Sequence, residues 1–460
     1  MNNNDTLLIN GGKLIGQGVD GCVHNPPVYS CNINKYMNNK YVSKLQFHSI
    51  YYINELNASN LIKYKYYNNY KNHFSIIIDK CKLNFDQINQ MSLYDKHTCS
   101  FFSDFKINDN YKYKSDTLFS ISIYKYVVGF SLKEFFDFNK TKLFFKNDTF
   151  QYLQLAISNF FYLQISIHMI NYNINLVHND LHYYNIIVDT NNNNLPIIID
   201  FGRSFVVNLD DDNNYYKFLL YFDKFSFKPE RTWDSFEIRF IYYILKYNLF
   251  SSFYNHKDYN NIPNFLNKKY IDNFINIIVT YDFNYYKKIS NNKFDFDKII
   301  IMYKKFLRDF LYKFSDTKLF PSINDVIFYI YSNFVIYSID SYSIIFNFLD
   351  FYLSNYYHLS KIDVLHNIFI KYLFVNINPI INYKFMYKTH LNFFKYIYKF
   401  FKSDKFLKNQ TYIYFEQNVF QYFNNNNVNT YYFIENDIFK SIYDYKTNFI
   451  LFFDSFSFYY

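Results

Sequence analysis

The chain has 460 residues, enough for two lobes or two to three domains with a sizeable core. Hydrophobic residues make up 50% of it and aromatic residues 25%, with 54 Tyr, 58 Phe and one Trp against seven Gly and seven Pro, so the chain should fold rather than stay disordered. The formal net charge is +9, but arginine occurs only at positions 203, 231, 239 and 308 and the lysines are scattered, so no specific nucleic-acid partner is expected. Asn, Lys, Ile, Tyr and Phe share A/T-rich codons, which is a sufficient cause for the skew.

The start, Met1-Asn2-Asn3-Asn4-Asp5, is polar and has no basic n-region, so no secretory signal is expected. Residues 9–45 read as strand, glycine-rich turn, strand. Leu14-Ile15 leads into Gly16-Gln17-Gly18-Val19-Asp20-Gly21-Cys22-Val23, a full G-x-G-x-x-G-x-V pattern. Glycines let a backbone turn sharply and approach phosphates with no side chain in the way. Pro26-Pro27 follows and opposes the helix that a dinucleotide-binding unit would open here. A second strand, Tyr41 to Leu45, carries Lys44. A helix is predicted from Ile53-Asn54-Glu55-Leu56, and Glu55 is the only acidic residue between Lys44 and Asp79. It is either the ion-pair partner of Lys44 or a solvated glutamate near a helix start. Cys22, Cys31, Cys81 and Cys99 lack C-x-x-C spacing and metal-type His partners, which predicts reduced thiols.

Ser120 to Gly129 reads as a strand running into a connector. A helix follows from Ser131, with Glu134 at capping-box spacing. Thr149 to Ile170 is a long apolar helix without Pro or Gly, and its Gln, Asn and His residues make it a core helix rather than a membrane span. Val326 to Ile339 is apolar but short and interrupted by Ser332 and Asn333, so no transmembrane segment is expected. Residues 208–214 are a polar loop, residues 240–460 read mainly as aromatic-rich helices, and the Asn424–Asn427 run marks a spacer.

Leu176 to Arg203 is the most informative stretch. It holds an H-x-D-L-x-x-x-N element, His178 to Asn185, and then Asp200-Phe201-Gly202 after the apolar run Ile197-Ile198-Ile199. This is the catalytic and metal-binding layout of a protein-kinase-like phosphotransferase. Phosphoryl transfer needs a carboxylate at the acceptor hydroxyl, for which Asp180 is the candidate, and oxygen ligands for Mg²⁺ on the nucleotide phosphates, for which Asn185 and Asp200 are the candidates. Asp180 could alternatively be a turn residue, Asp200 a strand-end aspartate, and His178 and His182 ordinary packed histidines.

With these motifs in order, the chain resembles a eukaryotic-type protein kinase, and more narrowly the divergent serine/threonine kinases of large nucleocytoplasmic DNA viruses. The segments that carry the likeness are Gly21-Cys22-Val23, Pro27, Cys31, Val177 to His182 and Pro196 to Arg203, with Ile339-Asp340-Ser341-Tyr342-Ser343 and Asn376-Ile377-Asn378-Pro379 resembling later large-lobe elements. The resemblance implies an α+β, bilobal protein-kinase-like fold. A small β-rich N-lobe would span 9–128 and a large helical C-lobe 129–400, with an insertion at about 206–330 and a C-terminal extension at 401–460. It implies an ATP-dependent serine/threonine protein kinase with Mg²⁺ (or Mn²⁺), protein substrates bearing Ser/Thr acceptors, and a cytoplasmic location (host-cell cytoplasm or virion). Lys44, in the V-A-I-K position, would hold the phosphates with Glu55 as its partner. Gly16, Gln17, Gly18, Val19, Asp20, Gly21 and Val23 would cover the nucleotide. Two departures stand out. Asn179 replaces the arginine that receives an activation-loop phosphate, and His182 replaces a lysine. The second also occurs in small-molecule phosphotransferases of the aminoglycoside and choline kinase type, which remain an alternative, as does a non-catalytic kinase-fold scaffold. Lys228-Pro229-Glu230 is a weak match to the end of an activation segment.

Overall fold

A computed structural model describes residues 12–18, 21–27, 38–67, 69–83, 119–137, 149–192, 194–208, 215, 218–219, 228, 231–232, 234–248, 266–290, 296–354 and 373. The chain is mixed α+β and divides into two compact units, residues 1–131 with 185–205 and residues 132–184 with 206–460. The Asn376–Pro379 segment, the 401–460 extension, the Asn424–Asn427 run and Pro229-Glu230 lie outside the described residues.

The first unit is built on a five-stranded antiparallel sheet of order β1–β2–β3–β5–β4. Its strands are β1 Lys13–Gly18, β2 Gly21–Asn25, β3 Tyr41–Phe47, β4 Asp79–Leu83 and β5 Phe119–Lys125. Side chains alternate between the two faces of a strand. In β3, Tyr41, Leu45 and Phe47 join an apolar cluster made with Cys22, Phe119 and Ile121. Val42 packs on the other face against Tyr52 and Leu56 of helix α1, Ile50–Tyr66. Period two therefore places Lys44 on the α1 face. Gly21 is required by packing, because a Cβ there would overlap the Leu45 carbonyl oxygen and come within 2.8 Å of Gln46 Cβ.

A second sheet of this unit has the order β6–β7–β8, from β6 Gly129–Ser131, β7 Ile186–Asp189 and β8 Leu195–Ile198, all antiparallel. Every residue of β8 is buried. Its last residue is gripped from the side: Ile198 N–H donates to His73 O and Ser75 N–H donates to Ile198 O, each at 2.9 Å. The apolar run before Asp200 is thus a strand buried on both sides.

The second unit is helical. It contains α2 Leu132–Phe135, α3 Thr149–Ile174, α4 Phe236–Asn248, α5 Lys268–Ile289, α6 Asp297–Leu311, α7 Ile323–Ile330 and α8 Ile336–Ser354. Helix α3 runs one turn beyond the expected Ile170. Between α7 and α8 the chain forms a π-helical turn at Tyr331–Val335, where Asn333 Nδ2 donates to Tyr329 O at 2.9 Å. This is the interruption legible at Ser332-Asn333. Among the described residues no single helix is long and apolar enough to cross a membrane.

Two buried ionisable side chains lie at the start of α4. Arg239 is 1% exposed and makes a bidentate pair with Asp282 of α5 at 2.7 and 2.9 Å, and its Nη2 lies 3.4 Å from the Tyr342 hydroxyl of α8. One guanidinium fork thereby ties three helices together. Glu237 is also buried, and neither of its carboxylate oxygens has a hydrogen-bond partner among the described residues. Burial pushes its carboxyl up to about 8, against the pull of Arg239. The folded state therefore keeps a proton that the unfolded chain releases above about pH 4.5. Stability should fall as pH rises from about 4.5 to about 8 and level off beyond that. Glu237→Gln should remove this slope and raise stability at pH 8 by on the order of 4 kcal/mol. Urea unfolding at pH 5 and pH 8 checks this, and an unchanged slope in the variant contradicts it.

One expectation is corrected. Cys22 and Cys81 are disulfide-bonded rather than reduced. The absence of C-x-x-C spacing carries no information about cysteines that meet only through the fold.

Candidate functional site

Lys44 occupies the middle of β3 on the α1 face. Its Nζ donates to Glu55 Oε2 at 3.2 Å and to Asp200 Oδ1 at 2.9 Å. Glu55 lies in the second turn of α1, because the helix begins at Ile50, three residues before the expected start, with Ser49 as its extended N-cap. At 2% exposure Glu55 is not a solvated helix-start glutamate. Gln46, two residues along the same face of β3, reaches Glu55 Oε2 at 3.5 Å. Burial alone would lower the Lys44 pKa, but the carboxylates of Asp200 and Glu55 more than offset this and hold it above the ordinary lysine value. The ammonium therefore stays charged throughout the physiological range. Burial raises the Glu55 carboxyl, opposed by the Lys44 ammonium and reinforced by the Asp200 carboxylate.

Asp200 sits just past β8 in the left-handed region, φ 60° and ψ 74°. That conformation is uncommon for a residue with a Cβ and costs on the order of 1 kcal/mol. Several contacts enforce it. Gly202 N–H donates to Asp200 Oδ1 at 3.4 Å, and Asn54 Nδ2 of α1 donates to Gly202 O at 3.3 Å. Phe201 is fully buried, edge-on to Phe74 at 6.0 Å. Helix α1 thus supplies Glu55 and also pins the turn that presents Asp200. Asn185 precedes β7 and is buried. Its carbonyl accepts from Ile199 N–H at 3.0 Å, extending the β7–β8 ladder by one step. Asn185 is therefore held by the residue that immediately precedes Asp200.

The glycine-rich segment forms the β1–β2 hairpin. Gly16, Gln17 and Gly18 are in β1, and Gly21 and Val23 are in β2, with Gly18 opposite Gly21 and Val23 opposite Lys44. A Cβ at Gly16 would meet Val23 Cβ at 3.9 Å, an ordinary contact. Val19 and Asp20, also read as nucleotide-binding, lie outside the described residues.

Asp180 belongs to the second unit, on a loop fastened to one helix. Asp340 of α8 accepts from His178 N–H at 2.8 Å, from Asn179 N–H at 2.9 Å and from Asn171 Nδ2 at 2.9 Å. Asn347 Nδ2 donates to Leu181 O at 2.9 Å. Asp350 accepts from the Tyr183 hydroxyl at 2.8 Å and the Tyr285 hydroxyl at 2.6 Å. Positions 340, 347 and 350 fall on one face of a 3.6-residue helix, so α8 acts as a ruler for the loop. Asn179 is buried with φ 61°, a conformation that asparagine tolerates better than most residues with a Cβ. Asp180 N–H donates to His178 Nδ1 at 3.3 Å. His182 Nδ1 accepts from Tyr184 N–H at 3.2 Å, which leaves its other nitrogen to carry the proton, 3.9 Å from Asp180 Oδ2.

The structure therefore brings Lys44, Glu55 and Asp200 into direct contact and bonds Asn185 to Ile199, the residue before Asp200, while Asp180 is fixed within the other unit. Sequence reasoning missed Asn171, Asn347 and Asp350. Their available signal was polar residues at helical spacing inside otherwise apolar helices. No protein-family model matches the chain, and no curated protein matches it.

Proposed function

We propose that the chain has a protein-kinase-like fold and is an ATP- and Mg²⁺-dependent phosphotransferase acting on serine and threonine hydroxyls of proteins. The observation that carries this reading is the Lys44 ammonium held between Glu55 and Asp200, with Asp200 presented by a left-handed turn. A permanently charged lysine fixed by a buried carboxylate suits binding of nucleotide phosphates. Backbone N–H groups of the Gly16–Gly21 segment would lie along the phosphates. Asp200 and Asn185 offer a carboxylate and an amide oxygen, the hard donors that Mg²⁺ or Mn²⁺ prefers. Among the described residues no group of three or more His, Cys, Asp or Glu side chains could hold a metal alone, so a cation here would complete its shell with phosphate oxygens and water. Bound there, it would neutralise charge on the transferring phosphoryl group. Asp180 would accept or orient the proton of the acceptor hydroxyl, with His182 Nε2 facing its carboxylate.

The test is incubation of the full chain with γ-labelled ATP, Mg²⁺ and mixed acceptor proteins, followed by analysis of the labelled residues. Label on serine and threonine supports the reading. Label confined to small hydroxylated or amino-bearing molecules favours the aminoglycoside-type alternative that His182 suggests. No transfer to any acceptor, with nucleotide bound, favours a scaffold.

The reading also bears on regulation. Asn179 stands where an arginine would clamp a phosphorylated loop, and a neutral amide cannot make that bidentate pair. Phosphatase treatment should leave the rate nearly unchanged. Asn179→Arg should not raise it, since a long charged side chain would enter a buried left-handed position. A large loss on dephosphorylation, reproduced by Arg203→Ala or Arg231→Ala, would overturn the ungated reading.

A further inference from the structure

Ser235 caps helix α4: Ile238 N–H donates to Ser235 Oγ at 3.4 Å and Arg239 N–H to Ser235 O at 2.9 Å. Glu237 lies in the first turn, 3% exposed, with no hydrogen-bond partner for either carboxylate oxygen among the described residues. Two forces oppose each other there. The positive end of the helix and the Arg239 guanidinium favour the carboxylate, while burial favours the acid and prevails. Around it stand Arg239 of α4, Asp282 and Tyr286 of α5, Tyr303 of α6, Tyr342 of α8 and Asp234 ahead of α4. Burial pushes all three tyrosines above their ordinary range, so none of them ionises near neutral pH.

Arg239 has one edge to spare. Asp282 occupies both terminal nitrogens, and Nε is a buried N–H with no partner among the described residues. Side chains two residues apart on a helix do not face each other. An ionised Glu237 therefore reaches that edge, or water, only if the first turn of α4 unwinds. The segment leading into this turn is tied to α8. The Tyr342 hydroxyl donates to Thr232 O at 3.1 Å, and Tyr342 stands two residues from Asp340, which holds the backbone of His178 and Asn179.

We propose that Glu237 is a proton-operated latch: protonated, it keeps the first turn of α4 closed with Thr232 seated on Tyr342, and ionised, it opens that turn and loosens, through Tyr342 and α8, the loop that carries Asp180. The sign follows from linkage. The closed form keeps the proton up to about pH 8, whereas an opened, hydrated carboxyl releases it near 4.5. Closure therefore weakens as pH rises from about 4.5 to about 8, by up to about tenfold per pH unit, and levels off above. The latch rests on contacts within the helical unit alone and stands apart from phosphoryl transfer.

Hydrogen exchange of the full chain tests this. It is read by mass spectrometry on peptic peptides at pH 6 and pH 8, with labelling times scaled for the intrinsic pH dependence of exchange. In the wild type, protection over residues 236–240 and 176–181 should fall at least about tenfold between the two. Both segments should respond little to urea below the unfolding transition, because the opening exposes little surface. Glu237→Gln, which mimics the protonated acid, should hold both at their pH 6 protection. Tyr342→Phe should keep the response of the α4 turn and abolish that of the loop. The latch is overturned by unchanged wild-type protection, by a response that persists in Glu237→Gln, or by a loop response that survives Tyr342→Phe. A steep urea dependence of both segments, which marks global unfolding, overturns it too.

Discussion

Lys44→Met should lower turnover at least about 100-fold, the usual loss when one positioned charge is removed from a phosphoryl or oxyanion site. Lys40→Met should leave turnover within about twofold, as expected for a surface substitution. Lys40 is exposed in the turn before β3, whereas Lys44 is largely shielded and contacts two carboxylates. The folded chain should survive the Lys44 change. Glu55 loses its cation, but burial already favours its protonated form, and a protonated carboxyl removes the heavy cost of an unpaired buried charge. Lys44→Met combined with Glu55→Gln should therefore restore stability without restoring turnover. Steady-state rates and urea unfolding on the three variants separate the two effects. Equal losses at positions 40 and 44 would show that Lys44 does not hold the phosphates.

Asp340→Ala should cost stability and activity together. It strips the acceptor from two buried backbone N–H groups, of His178 and Asn179, and from the Asn171 amide. Each buried donor left unpaired costs about 1–3 kcal/mol, so a total of roughly 3–9 kcal/mol is expected. The left-handed backbone at Asn179 loses its anchor as well, and Asp180 loses its fixed position. Asp340→Asn should be nearly as damaging, since an amide presents one acceptor and places a donor against an N–H. By contrast, Ser343→Ala changes a residue of the same helix whose hydroxyl donates back to Ile339 O at 3.0 Å. It should cost under about 1 kcal/mol. Unfolding midpoints and turnover for the three variants are the measurements. Full activity in Asp340→Ala would mean that the loop is held by other contacts.

The residues proposed to bind phosphate and metal were the most legible, because such recognition would demand particular atoms at particular separations. Gly16 to Val23, Lys44, His178 to Asn185 and Asp200 to Gly202 could be read directly for that reason. Glu55 was reachable only as the lone acid in its interval, and the fold turned that accident of composition into a 3.2 Å ion pair. The start of α1 was misplaced because Ser49 makes no side-chain cap hydrogen bond, so the boundary has no strong local marker. The α8 face with Asn347 and Asp350 was hidden in an aromatic-rich background where many polar residues recur without meaning. The cysteines were misread because spacing along the sequence does not report which thiols a fold brings together, and Cys22 and Cys81 are disulfide-bonded.

Transfer of the γ-phosphoryl group from ATP should be compared between the wild-type chain and Asp200→Asn, with folding matched by circular dichroism. The variant keeps the Lys44–Glu55 pair and the buried Phe201 while removing one carboxylate. The wild type should show Mg²⁺- or Mn²⁺-dependent transfer to protein hydroxyls, and the folded variant none above background. Equal transfer by both, or transfer indifferent to the metal, would contradict the proposed phosphotransfer.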